Sequence, residues 1–210
     1  MNSQTSSSSS MLTMSEEENL IEKHEIIKIQ GTDKQGHPVL RIIGKFFPAK
    51  LVTLETVKKY LEEKIYPNLI EKPFSVVYVH TEVNRGENFP GFSALKSIYD
   101  SIPVNVKENM EALYFLHPAL QSRLFLATFG RILFSGRLYG KLRYVNRLEF
   151  LWDNIKRNEI EMPEFVFEHD EDLEYRPVLD YGMESDHPRI YNDAPLVDYP
   201  VSMYSMRCIA

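Results

Sequence analysis

The sequence predicts a single α/β domain built on one mixed, mostly parallel sheet of about five strands, with helices on both faces. Three observations carry this reading. FSVVYVH at 74–80 and ALYFLH at 112–117 are short, near-continuous apolar and β-branched runs, the pattern of strands buried on both faces. Longer stretches of helical spacing follow each of them, and parallel strands need such crossovers. The chain has 210 residues, 43% hydrophobic and 26% charged, which suits one domain with a sizeable core.

Taken in order, residues 1–19 are Ser-rich and lack apolar periodicity, so they are expected to be a disordered tail. EIIKIQ and VLRIIGKFF flank the turn signal GTDKQGHP and predict two short strands. Thr53 is a candidate N-cap for a helix that runs to about Tyr66 and stops before Pro67. The 74–80 strand comes next, then the loop TEVNRGENFPG, a helix from about Phe92 to Ile102, and the 112–117 strand. Pro118 stands where a long helix to about Ser135 begins. Gly136 and Gly140 bracket a predicted loop, KLRYVN at 141–146 reads as a further strand, and RLEFLWDNI at 147–155 as a helix. One more short element is expected within EMPEFVFEHDEDLEYRP, so the domain spans 20–176. Residues 177–210, rich in Tyr, Pro and Asp, read as an extended tail lying partly on the domain.

The long helix carries the main anomaly. Plotted at roughly 100° per residue, residues 119–135 show two apolar faces. Phe125, Leu126, Phe129, Ile132 and Leu133 form a broad one, expected to be core. Leu120, Leu124, Ala127 and Phe134 form a second. An ordinary surface helix shows a single apolar stripe. The second face therefore needs its own cover, and a bound acyl chain supplies about 25 cal/mol for each Å² it shields.

Charge is uneven along the chain. Residues 121–157 hold eight Lys or Arg against two acidic residues, whereas 159–186 hold eleven Asp or Glu and one Arg. Arg137, Lys141 and Arg143, just past the long helix, are candidates to hold an anionic head group by charge-assisted hydrogen bonds or to touch an anionic membrane surface. The formal net charge of −6 argues against a nucleic-acid partner. The single cysteine, Cys208, cannot form an intrachain disulfide and suits a reducing, cytoplasmic setting. No signal peptide, membrane span or lipidation box is visible.

Catalytic and metal motifs are missing too. His80 and His117 end the two buried strands, where ligands gather in open α/β sheets. No G-x-S-x-G elbow, phosphate loop or H-x-x-x-H pair accompanies them. Both histidines therefore read as hydrogen-bonded strand-end residues, and neither enzyme activity, a cofactor nor a metal is expected.

The G-x-D-x-x-G-x-P-V start at 31–39, the run ALYFLHPALQSRLFLATFGRILF and the K-x-x-Y-V-N strand resemble the CRAL-TRIO lipid-binding domain. The likeness is to its divergent branch, found in ganglioside-induced differentiation-associated proteins and fused to Rho GTPase-activating proteins. It covers about 25–175 and lacks the family's N-terminal helical lobe. The resemblance implies a pocket for a phosphoinositide or other small lipid, gated by the 119–135 helix, with non-enzymatic lipid binding as the expected function and transfer between membranes as its extension. Its expected lining is Tyr78, His80, Phe115 and His117 from the strands and Leu120, Leu124, Phe125, Ala127, Phe129, Leu133 and Phe134 from the helix, with Arg137, Lys141 and Arg143 at the mouth. The alternative it implies is a protein-interaction module for a small GTPase or another signalling partner.

Overall fold

A computed structural model describes residues 12–134 and 136–175, with the side chains of 131–133 outside the description. The Ser-rich stretch 1–11 and the tail from 176 onward, Cys208 included, also lie outside the described residues.

The G-x-D-x-x-G-x-P-V segment folds as a tight connection between strands β1 (Ile27–Thr32) and β2 (Pro38–Ile43), which pair antiparallel. Asp33 organises it. One carboxylate oxygen accepts from the backbone N–H groups of Gln35 (2.9 Å) and His37 (2.8 Å), and the other accepts from Ser75 Oγ (2.9 Å) on the next strand. Burial pushes the Asp33 carboxyl up, but these bonds outweigh it and hold it below the usual range. Gly31 has a φ of 67°, and a Cβ there would stand 2.6 Å from the Glu159 carbonyl oxygen, so only glycine fits.

Strands β3 (Phe74–Val79), β4 (Met110–Leu116) and β5 (Leu142–Val145) then add in parallel, giving one five-stranded sheet in the order β1-β2-β3-β4-β5. Alternate residues point to opposite faces. Leu40, Phe74, Val76 and Met110 pack against helices α1 (Met14–Lys23) and α2 (Leu54–Tyr60) on one face. Val39, Val77, Val79, Tyr114, Leu116 and Val145 pack on the other face against α7 (Leu148–Trp152) and α8 (Glu164–Glu174). The first face is extended by α3 (Phe92–Ser101), α4 (Val104–Asn109), α5 (Leu120–Leu133) and α6 (Gly136–Lys141). The α/β architecture is the one the alternation predicts.

Several boundaries differ from expectation. The first helix opens at Met14, inside the stretch expected to be tail. Thr13 and Glu16 close a capping box, Ile21 is fully buried, and the Glu17 carboxylate accepts from Thr53 N (2.8 Å), Thr53 Oγ1 (2.9 Å) and Thr56 Oγ1 (2.5 Å) at the start of α2. Leu20 packs beside Ile21 and Glu18 pairs with Lys59, so the helix docks by two apolar residues and acidic contacts, which leaves little apolar period to read. Residues 136–141 form a helix rather than a loop, its Leu138 packed at the edge of the first core. Past Tyr60 the chain continues as a π turn over Leu61–Ile65 and a 3-10 turn over Tyr66–Asn68.

Candidate functional site

The apolar surplus of α5 lies differently from its reading on the helix wheel. Phe125 turns toward α3, where its ring stacks on Phe92 with centroids 3.5 Å apart and planes 17° apart. Phe134 meets Tyr99 edge-on at 5.2 Å. Gly130 lies against Tyr139 of α6, where a Cβ would stand 2.9 Å from the ring. The helix thus rests on its neighbours α3 and α6, and none of its described side chains belongs to either core cluster.

The expectation that the broad face is core is therefore corrected. Phe129 is 51% exposed and meets the edge of the aromatic seam through Phe125 at 5.2 Å. On the second face Leu124 is 58% exposed and Ala127 is exposed, so neither turns inward, while Leu120 and Phe134 are half-buried. The Leu133 side chain lies outside the described residues. The physical reason is simple. A 3.6-residue period says which residues share a face, but not which face meets protein, and α3 lies beside α5.

The first turn of α5 is anchored to the carboxyl end of the sheet. Ser122 Oγ lies 2.9 Å from His80 Nε2, and His80 Nδ1 lies 3.5 Å from the Tyr78 hydroxyl. The Tyr78 ring stacks on Phe115 of β4 at 5.2 Å, and His80 tilts over Phe115 at 5.0 Å. Arg123 adds a second anchor, donating to the Pro118 carbonyl (3.2 Å) and to Asn146 Oδ1. Burial, with a smaller contribution from Arg85, pushes the His80 pKa down to about 4, so the ring is neutral at physiological pH. Burial also pushes the Tyr78 hydroxyl up. Tyr78, His80 and Phe115 are thus brought together on the α5 side of the sheet.

His117 is not part of this group. Its side chain faces the α7–α8 layer, with Nδ1 2.8 Å from Thr81 Oγ1 and Nε2 3.1 Å from Asp170 of α8. Asp170 also accepts from Leu148 N (2.7 Å) and pairs with Arg147 at 3.3 Å. Burial drives the His117 pKa down to about 4, and the hydrogen bond to Asp170 opposes this only in part. Its φ of 50° is a left-handed conformation for a residue with a side chain, held by the bond from its N–H to the Val145 carbonyl (2.9 Å). In the Thr81–His117–Asp170 array the His117 side chain is 0% exposed, and the array fastens α8 to the sheet.

The three basic residues expected at a common mouth do not all gather: Arg137 and Lys141 meet at Glu108, and Arg143 stands apart. Arg137 pairs with Glu108 at 2.8 Å. Lys141 donates to the carbonyls of Glu108 (3.2 Å) and Met110, where β4 begins, at the opposite end of that strand from His117. Arg143 is registered with Tyr114 and lies 5.9 Å over its ring, on the sheet face away from α5. Strand alternation separates it from Tyr144 and Phe115. Phe92 and Ser122, which complete the site beside Phe125 and His80, were missed. Neither carries a local signal, because what matters is a contact 42 residues away for Ser122 and a helix–helix stack for Phe92. Among the described residues no group of His, Cys, Asp and Glu is placed to hold a metal ion, and no helix is long and apolar enough to cross a membrane.

Comparison with known proteins adds a family. The family model of the divergent CRAL/TRIO domain matches residues 36–172. Ganglioside-induced differentiation-associated protein 2 of Xenopus laevis is 32% identical over 140 residues, 67% of this chain and 28% of the relative. The Mus musculus protein of the same name is 29% identical over the same share of each. The GDAP2 homolog of Drosophila melanogaster is 27% identical over 67% of this chain and 25% of its own length. The chain therefore spans about a quarter of the length of the curated relatives it matches.

Proposed function

The chain belongs to the divergent CRAL/TRIO domain family, and from that premise we propose that it binds a small hydrophobic ligand, a lipid, between α5, α3 and the sheet, with α5 as the gate. One observation supports this above the others. The described side chains of α5, an apolar helix of 14 residues, sit outside both cores, and the helix is joined to the fold by an aromatic seam and a polar anchor at its first turn. Beneath it the sheet presents Tyr78, His80, Phe115 and the half-buried Leu113. Ligand sites of this kind are mostly apolar with few polar groups. A helix held at one end and by ring contacts along its length can lift without unfolding either core.

The exposed Leu124, Ala127 and Phe129 suit the gate's outer surface. In this reading they enter the headgroup region of a bilayer while the ligand passes, which makes intermembrane transfer the cellular role. Native mass spectrometry of the purified protein, with extraction and identification of any co-purifying lipid, tests it. Retained lipid that exchanges into acceptor vesicles is the expected result; a clean unliganded mass with no transfer overturns it. The second reading, a module that binds a signalling protein such as a small GTPase, draws on the same exposed face. It predicts that Leu124→Asp abolishes partner capture while leaving lipid content unchanged.

A further inference from the structure

Resting on the hydrophobic-ligand reading, we infer that the polar end of the ligand is an uncharged hydroxyl or carbonyl seated at Ser122, His80 and Tyr78, and not a phosphorylated head group. Ser122 and Phe125 are three residues apart on α5 and share a face. The cluster of Ser122 Oγ, His80 Nε2 at 2.9 Å and the Tyr78 hydroxyl at 3.5 Å from Nδ1 therefore adjoins the aromatic seam that Phe125 makes with Phe92. All three groups are neutral, and each can donate or accept. A hydroxyl has one donor and two acceptor positions, so Ser122 keeps capacity for a further partner after bonding His80.

Most of the described cations around α5 are engaged elsewhere, and Arg85 is the one set near His80. Arg123 is spent on Pro118 and Asn146, Arg137 on Glu108, and Lys141 on two carbonyls. Arg143 lies across the sheet against Tyr114, and Lys96 pairs with Asp100. A dianionic phosphate carried into an aromatic surround without convergent donors loses its hydration uncompensated. A hydroxyl loses far less, and regains it from the Ser122 and Tyr78 hydroxyls that His80 holds between its two ring nitrogens. The depressed His80 pKa agrees with this, since a site built for a phosphate gains from a charged imidazole. Arg85, from the loop after β3, acts on His80 electrostatically and is the residue whose removal distinguishes the two head groups.

The test uses probes of one chain length: tritiated hexadecanol, hexadecyl phosphate and hexadecane, each delivered to the full chain from phosphatidylcholine vesicles. Wild type is expected to retain hexadecanol at least ten-fold better than hexadecyl phosphate. Ser122→Ala and His80→Phe should each cut hexadecanol retention about ten-fold while still holding hexadecane, which shows that the variants remain folded. Arg85→Ala should leave hexadecanol retention unchanged. Preference for hexadecyl phosphate, with loss of its binding in Arg85→Ala, overturns the head-group assignment. Equal retention of hexadecane and hexadecanol overturns the assignment and leaves the hydrophobic-ligand reading standing. Retention of none of the three probes overturns both.

Discussion

Phe92 of α3 and Phe125 of α5 stack with ring centroids 3.5 Å apart, so the 14-residue helix α5 is joined to a neighbouring helix, and its described side chains stand clear of the sheet core. Both rings are only half-buried. Phe125→Ala should therefore destabilise the domain by about 1–2 kcal/mol, short of the roughly 3–5 kcal/mol that removal of a fully buried phenylalanine costs. Phe74, 1% exposed at the start of β3, is the reference: Phe74→Ala should reach that upper range. Urea titrations of the two variants give the comparison, and equal losses would place α5 in the core after all.

His80 and His117 make stability fall with acid. Each has its folded pKa held at about 4, below the ordinary 6.5, mainly by burial. As pH drops below 6.5 the unfolded chain takes up the protons and the folded chain does not. Stability is thus complete above about pH 6.5 and is lost as pH falls from there toward 4, on the order of 2–3 kcal/mol for each ring. Denaturant midpoints at pH 7 and 4.5 measure the loss, and His80→Phe should remove its share of the slope. A midpoint that stays constant across the window would contradict the neutral, buried state of both rings.

Glu17 tests where the domain begins. Its carboxylate accepts bonds from Thr53 N, Thr53 Oγ1 and Thr56 Oγ1, capping α2 from α1. Glu17→Ala leaves the buried Thr56 hydroxyl without this acceptor and should cost about 2–3 kcal/mol. Deletion of residues 1–23 should cost more, because it also exposes the side of the first core that the fully buried Ile21 covers. Thermal unfolding checks both. A truncated chain as stable as the full one would return α1 to the tail.

Leu124 and Phe129 separate gate function from stability. At 58% and 51% exposed they contribute little packing, so Leu124→Ser should change unfolding free energy by no more than about 0.5 kcal/mol. If α5 opens against a bilayer, Leu124→Ser and Phe129→Ser together should slow lipid transfer between vesicles several-fold. An unchanged transfer rate in that double variant would rule out the outer face as the membrane contact.

Much of the fold was legible because its signals are local. The Asp33 turn, the Thr53 cap and the β3 and β4 runs each lie within a few residues, and each fell where the pattern placed it. The first helix escaped notice since only Leu20 and Ile21 dock it by apolar contact and the rest of its docking is acidic. Of the residues beside α5, His80 was read from its place at a strand end, Phe125 from its helix, and Tyr78 and Phe115 came only with the resemblance. Ser122, a polar residue between two apolar faces, gave no hint that it would meet His80.

The sequence by itself determined that this chain forms a parallel-strand α/β domain and that α5 carries more apolar surface than one stripe explains. Only the tertiary structure decided which side of α5 meets α3, that His117 turns to Asp170 while His80 turns to Ser122, and that Arg143 parts from Arg137 and Lys141, which meet at Glu108. Periodicity assigns residues to a face from spacing alone. The partner that each face meets depends on how helices settle over the twisted sheet, and on strand alternation that sends adjacent residues of β5 to opposite sides.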